Sequence, residues 1–426
     1  MYQVDARPLG HYDVVVCGGG IAGVCAAVTA ARHGAQVLLV EGSGMLGGTM
    51  TLCGISNLLD GKNKGGILQE LRDFLDARGM TWARKGERFD KDGRIIPGNL
   101  MHVEGLKYFF DKLCAEAGVK VLFHSLVCSA DHTDGHLHSL LLCTECGNYS
   151  VEAAVYVDAT GSGAVAAMAG CAWECGDPQE GRPSPTSVGA TATGFPADYN
   201  GTDDEEQKTA YAKLLEQYGI TVSAQQASVT KNPRGTWGMG FSMQYGVMPD
   251  DIESLSRAIS EGRKEVFEVV EAHQRIPGYE NVQIAGTDPH IGVREGRRIF
   301  GHYRLSNEDI LEGRRFEDAV CLVNFRVDVH KLHANDTTEL NRGFKTKPYH
   351  IPYRCLVPLG SDNLLLAGRC ISGDFYPFSS YRVMGNMAGV GEAAGYAAAI
   401  CAREGISPIQ VDGKQVSAYM QEYLRE

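Results

Sequence analysis

The sequence predicts an α/β protein in which a parallel βαβ core carries a β-meander insertion and is interrupted by an inserted α+β unit. Three observations predict it. A strand, a glycine turn, a helix and a second strand follow one another between Tyr12 and Glu41; strand-like segments alternate between Lys120 and Val157; and charge-rich helical segments fill the middle of the chain before a Gly/Ala-rich helix near its end.

The first unit is the most specific. Tyr12 to Val16 reads as a buried strand, and Gly18-Gly19-Gly20-Ile21-Ala22-Gly23 follows it directly. Ala26 to His33 has small and apolar residues at helical spacing, Gly34 supplies a stop, and Val37 to Val40 forms a second strand ending in Glu41. This is the Rossmann-type dinucleotide fingerprint. Gly18 makes the tight turn, Gly20 lets the backbone approach a pyrophosphate, Gly23 lets helix press on strand, and the helix N-terminus faces the anion. Glu41 stands where a carboxylate accepts hydrogen bonds from a ribose diol. An ordinary glycine turn is the competing reading, and the acid and both strands in register argue against it.

Leu46-Gly47-Gly48-Thr49 opens a Gly/Thr-rich loop that can bring backbone N–H groups close to a flat or anionic ligand. Helical spacing returns at Gly66–Arg78 and Glu104–Ala117, with a turn-rich excursion at Phe89–Pro97 between them. Lys120–Ala130, Leu137–Leu142 and Tyr149–Val157 read as the three strands of the meander. The last of them feeds Asp158-Ala159-Thr160-Gly161-Ser162-Gly163, a turn of small residues suited to passing near a cofactor. Asp203–Gln217 and Asp251–Gln274 read as amphipathic helices of an outer layer. Near the end, Asn363 to Arg369 leads through an aromatic loop to Arg382 and to a helix expected over Met387–Arg403, so rich in Gly and Ala that something must pack tightly on it. Its N-terminus offers a positive dipole end and N–H donors.

Composition excludes several classes. Lys and Arg number 40 against 52 Asp and Glu, a net charge of −12, which argues against a nucleic-acid partner. No run approaches the ~18 apolar residues that span a bilayer, and Met1–His11 lacks the apolar core of a signal peptide, so a cytoplasmic location is expected. The 13 scattered cysteines read as reduced core thiols. Cys143/Cys146 and Cys171/Cys175 fit neither a metal knuckle nor a flavin-linked disulfide, and His330/His333 lack an acid at ligand spacing, so no metal is expected.

Gly18–Gly23 with Glu41, Gly47-Gly48-Thr49, Asp158-Ala159-Thr160-Gly161, and Asn363–Arg369 with Gly385–Gly395 resemble the FAD-dependent oxidoreductases of the two-dinucleotide-binding-domain group. His290–Ile299 and Ile351-Pro352-Tyr353-Arg354 narrow the resemblance to the FAD-oxidored family, distantly similar to fumarate reductase flavoproteins. Where that family often has Gly-Asp-Gly-Asp after the Ala-Thr, this chain has Gly161-Ser162-Gly163-Ala164. The resemblance implies FAD, bound non-covalently, with contacts from Gly18, Gly20, Ala22, Gly23, Glu41, Gly47, Gly48, Val127, Thr160, Gly161, Gly368, Arg369, Arg382, Asn386 and Met387. His102, Cys53 and Tyr381 stay open as covalent attachment points.

The FAD-binding domain is expected to be discontinuous, 1–190 and 345–426, with a substrate or cap domain at 191–344. Arg294, Arg297, Arg298, Arg304, Arg354 and Arg382 are suited to bidentate capture of an anion. Substrate, FAD pyrophosphate, and salt bridges to Glu295, Asp309 and Glu312 compete for them. The expected chemistry is hydride transfer between flavin N5 and a small polar or anionic molecule. Tyr353, Arg354, His330 and Arg294 are the candidate catalytic residues, and NAD(P)H or another donor the electron partner. A flavin monooxygenase, or an FAD-binding subunit acting with a partner in electron transfer or RNA modification, is the alternative.

Overall fold

The computed structural model describes residues 4–82, 100–202, 204–232, 235–334 and 343–425, and the backbone of two short paired strands at 88–89 and 95–96. The rest of the excursion expected at Phe89–Pro97 lies outside the described residues, as does Asp203 of the expected helix at Asp203–Gln217.

The central sheet runs Lys120–Leu122, Val37–Val40, Arg7–Cys17, Gly147–Asp158, with His136–Thr144 and Ser125–Thr133 continuing it as the meander. Gly147–Asp158 joins the two parts. Its first residues pair antiparallel with Thr144–Leu140, while its last three pair in parallel with Leu364–Leu366. Along its other edge it runs parallel to Arg7–Cys17 throughout. The expected single strand at Lys120–Ala130 is two strands: His124, at φ 50°, turns the chain from its place beside Val37–Val40 into the meander.

Helix Ile21–Arg32 lies on this sheet, and helix Met384–Glu404 lies on that helix. The Gly/Ala composition of the second helix has its explanation in this contact. A Cβ on Gly391 would stand 2.2 Å from the Ala22 carbonyl oxygen, and one on Gly395 would stand 2.2 Å from that of Ala26. Backbone therefore meets backbone, where larger residues would hold helices 8–10 Å apart.

A second layer stands over the sheet's C-terminal edge. Four antiparallel strands, in the order Ser228–Asn232, Thr236–Gly240, Ala190–Thr193 and Gln283–Thr287, share an apolar cluster with helices Glu205–Gln217 and Ile252–His273. Both helices carry Asp caps, Asp204 accepting from Gln207 N–H and Asp251 from Glu253 and Ser254 N–H. This cluster's buried residues run from Val188 to Ile291. Ile299, Leu305, Ile310 and Val320 already belong to the main core, and strand Ala319–Val323 pairs with Tyr349–Pro352 there. The second core is thus shorter at its C-terminal side than the 191–344 insert expected from sequence, because the segment after Arg298 returns to pack on the last helix.

Candidate active site

The nucleotide turn folds as its glycines require. Gly18 sits at φ 101° with its Cβ position 2.5 Å from the Ala159 carbonyl oxygen, so the first turn and the Asp158–Gly161 turn touch through backbone. Asp158, fully buried, holds that second turn: its carboxylate accepts from Thr160 N–H and Oγ1–H and from Ala166 N–H. Gly20 differs. Only the Gly48 Cα comes near its Cβ position, at 3.9 Å, so this face of Gly20 is open. Gly47 N–H donates to Gly19 O, and a parallel bridge between Gly20 and Gly47 holds the two turns together.

Glu41 accepts from Gly19 N–H (2.6 Å) and Ser43 N–H (2.7 Å), and Ser125 N–H donates to its carbonyl, which brings the strand bearing Val127 to the same end. At the opposite end, Gly368 stands beside Ala22, and the buried Arg369 guanidinium lies against Gly161, 2.8 Å from its Cβ position. Helix Met384–Glu404 starts three residues earlier than the sequence indicates. Asn386 and Met387 N–H groups consequently bond Val383 O, and Gly385 N–H bonds Leu59 O, so these donors are not free. What the helix start does offer is the Asn386 amide, fully buried, whose Nδ2 has no partner.

A cavity of about 860 Å³ opens between this end and the strands of the second layer. Its floor is Thr49, Cys53, Arg369 and Arg382–Met384; its roof is Ser187–Thr191, Ser228, Thr230 and Gly238. Arg294 enters from the roof side, donating to Pro185 O (2.8 Å) and Ser187 Oγ (2.5 Å) and to no carboxylate. Burial first, and then the Arg382 charge, push it down to about 10, against the pull of Asp328. Arg382 donates to Asp328 O (2.9 Å), with its guanidinium 3.7 Å from Oδ2, while its Nε is buried without a partner. Arg369 Nε is buried and unpartnered as well, and burial lowers that guanidinium too.

Asp328 holds the cluster together. Burial acts to raise its carboxyl, but the His330 hydrogen bond and the Arg382 and Arg294 charges outweigh it and keep it well below the usual carboxylate range. His330 Nε2 lies 3.4 Å from Asp328 Oδ2. Burial and Arg294 drive His330 down to about 4 in spite of that carboxylate, so the imidazole is neutral at pH 7.

The structure brings Arg294, His330, Arg369 and Arg382 to one cavity and leaves Tyr353 and Arg354 outside it. Tyr353 is buried in the main core with its hydroxyl donating to Pro408 O (2.8 Å). Arg354 is half exposed and grips Asp318 through Nε (2.8 Å) and NH2 (3.3 Å), over the Tyr303 ring. The Pro352 segment is stiff, but it ties strand Tyr349–Pro352 to the last helix's surroundings and presents nothing to the cavity. Arg298 and Arg304 are likewise structural, bridged to Glu295 and Glu174 and to Glu174 and Asp374. Arg297 stacks on Trp173 and donates to Ser162 O. Asp309 and Glu312, expected as partners for these arginines, are taken by Arg314.

Of the three open attachment points, Cys53 and His102 line the cavity, whereas the buried Tyr381 hydroxyl donates to Ile371 O. Among the described residues no cluster of His, Cys, Asp or Glu could hold a metal, and His330 and His333 diverge to Asp328 and Glu180. No helix of the described residues is long and apolar enough to cross a membrane.

Two cavity residues escape sequence reasoning. Asp328 stands two residues before His330, a spacing that puts both on one side of an extended segment, and this signal was available. Asp288, in Gly286-Thr287-Asp288-Pro289, reads as an ordinary turn acid, and nothing local distinguishes it.

Residues 13–420 match the FAD dependent oxidoreductase family. A curated relative, digeranylgeranylglycerophospholipid reductase 2 of Methanothermobacter thermautotrophicus, is 29% identical over 153 residues, 35% of this chain and 39% of its own length. Among solved structures, a geranylgeranyl bacteriochlorophyll reductase-like protein from Thermoplasma acidophilum aligns with a TM-score of 0.52 at 14% identity, covering 97% of this chain and 84% of that one. CabE, an aromatic hydroxylase from angucycline biosynthesis, gives 0.52 at 13%, covering 97% and 66%. At such identities these structures establish the fold alone. The chain's own atoms fit the cofactor: the open face of Gly20 lets a pyrophosphate approach the backbone, and the orphaned donors of Arg369, Arg382 and Asn386 suit the polar edge of a flavin. With a family match over nearly its whole length, the chain belongs to the FAD dependent oxidoreductase family and is an enzyme with FAD as its cofactor.

Proposed function

We propose that this enzyme exchanges a hydride with a small anionic substrate, most simply a carboxylate, held in the 860 Å³ cavity. The observation that carries the reading is Arg294, a partly buried guanidinium facing the cavity with two neutral acceptors and no carboxylate within ion-pair distance among the described residues. A buried charge left without a counter-ion is costly, and an incoming carboxylate relieves that cost. Arg382 supplies a second fork from the floor, with Asp328 fixing its direction.

FAD, held non-covalently by the Gly18–Gly23 turn, Glu41, Gly47–Gly48, Val127, Thr160–Gly161, Gly368–Arg369 and Asn386–Met387, supplies a two-electron hydride acceptor or donor. The protein's part is to bind and orient. Arg294 and Arg382 fix the anion, the roof strands exclude water, and neutral His330, held by Asp328 at Nε2, holds or passes a proton at Nδ1. NAD(P)H is the proposed electron partner, and a cytoplasmic setting with reduced thiols is proposed with it.

An isoprenoid substrate, as the names of two relatives would have it, is the second reading, and Trp82, Leu100, Met101, Met239 and Phe241 on the cavity wall would suit it. Arg294 favours the anion. The test is Arg294→Met. Simple carboxylates should perturb the flavin spectrum of the unsubstituted holoenzyme, and the variant should keep its flavin while losing that response; an unchanged response would remove the anion-binding role.

A further inference from the structure

Among the acids on the cavity wall, Asp328 is committed to His330 and Arg382, Glu104 pairs with Lys107 at the surface, and Glu205 is exposed in the first turn of helix Glu205–Gln217. Asp288 is different: no Lys, Arg or His of the described residues pairs with it. It follows strand Gln283–Thr287 and exchanges hydrogen bonds with Gly189, its N–H donating to Gly189 O (3.0 Å) and its Oδ2 accepting from Gly189 N–H (3.1 Å). A Cβ on Gly189 would stand 2.4 Å from Oδ2, and one on Gly54 would stand 2.9 Å from Oδ1. The carboxylate is thus seated between a glycine of the roof and a glycine of the cofactor-side loop, with no side chain able to cover it from either. Oδ1 accepts no hydrogen bond from the described residues.

Its place relative to the cations is fixed through Cys53. Burial pushes the Cys53 thiol up to about 12, Asp288 adds to the rise, and Arg369 and Arg294 oppose it. Asp288, Arg369 and Arg294 are thus all close enough to Cys53 to act on it.

We propose that Asp288 is the residue that takes up the substrate's proton, and that the substrate is a carboxylate with a hydroxyl or amino group on the carbon that exchanges the hydride. This rests on the anion-binding reading of Arg294. In the oxidising direction the C–H bond breaks with its electron pair leaving as hydride to FAD. The O–H or N–H bond breaks with its proton passing to Asp288 Oδ1, and a C=O or C=N bond forms. A hydride and a proton leave the substrate, two electrons and two hydrogen nuclei in all, and the reverse direction returns both.

The ionisation of Asp288 agrees with this work. Burial, opposed by the Gly189 N–H, raises it to about 6. The groups packed on it are Gly189 from the roof and Gly54 from the loop, with the Cys53 thiol nearby, none of them charged at neutral pH. The proton-accepting form prevails above about 6, so oxidation should rise with pH through that value.

The experiment titrates the FAD-loaded protein with propanoate, lactate and alanine, read by the flavin absorption change, in the unsubstituted protein and in Asp288→Asn. Asn keeps an acceptor for Gly189 N–H, so folding is preserved. Lactate or alanine should bind at least about tenfold tighter than propanoate, as a hydrogen bond to a charged acceptor allows, and Asp288→Asn should erase that preference while leaving propanoate unchanged. A preference that survives the substitution, or that favours propanoate, overturns the inference. Infrared difference spectra provide a reading independent of turnover: a protonated carboxyl band titrating near pH 6 should vanish in Asp288→Asn, and its absence from the unsubstituted protein overturns the proton role. If no ligand binds either protein, the anion clamp of Arg294 and the substrate class fall together, and the infrared band alone decides Asp288.

Discussion

The two ends of the cofactor site use glycine and charge in opposite ways. At the nucleotide end, glycines bring backbone against backbone, and the acids Glu41 and Asp158 are each satisfied by N–H groups. At the cavity end, guanidinium groups are held with donors left over: Arg369 Nε and Arg382 Nε have no partner among the described residues. A region that only holds its ligand can be complete without it, whereas a region that must act on a ligand keeps unsatisfied groups aimed at it, at a cost in stability.

The sharpest way to break the first half of this contrast is Gly395→Val. Its side chain would enter the space of Ala26 O, 2.2 Å from the Cβ position, with backbone on both sides and nothing to yield. We expect a loss of about 3 kcal/mol or more and little folded protein in urea melts. Gly20→Val tests the same region differently, since its Cβ meets nothing closer than 3.9 Å. That variant should fold and purify colourless, and full yellow occupancy would remove the pyrophosphate from this turn.

At the cavity end, Arg294→Met should cost about 2–5 kcal/mol of anion binding with flavin retained, measured as the loss in kcat/KM or in ligand affinity. Glu392 gives a smaller effect between the two ends. It is buried in helix Met384–Glu404, accepts from Ile67 N–H and Tyr423 O–H, and is raised by burial to about 7. Its folded value exceeds its unfolded one, so the stability it contributes is full below about pH 4.5 and is lost as pH rises through 7. Glu392→Gln should flatten thermal stability between pH 5 and 8, with an equal slope in both proteins counting against this assignment. Smallest of all is Arg354→Met. Its half-exposed pair with Asp318 should contribute about 0–1 kcal/mol of stability, and kinetics should not change.

The nucleotide end was legible because its demands are local. A tight turn, a close helix and an acid at the end of a strand each leave a mark within thirty residues. The Gly/Ala helix was legible as a surface needing a partner, although its partner and starting residue were not. The arginines show where reading fails: Arg294 and Arg298 stand four residues apart in one segment, yet one faces a cavity and the other is locked by Glu295 and Glu174. Which carboxylates arrive in space decides between them, and Glu174 and Asp328 come from distant parts of the chain. Arg354 was misread for the same reason, since Asp318 lies 36 residues away. Asp288 carries no local mark because its character comes from two glycines, Gly54 and Gly189, that meet only in the folded protein.

The contact of Gly391 and Gly395 with Ala22 and Ala26 has a mechanical consequence. Side chains can slide and repack, but two helix backbones in direct touch have no such freedom. The helix that starts beside the flavin end and the helix that starts beside the pyrophosphate are therefore set at one fixed spacing, a built-in gauge for the length of the bound dinucleotide.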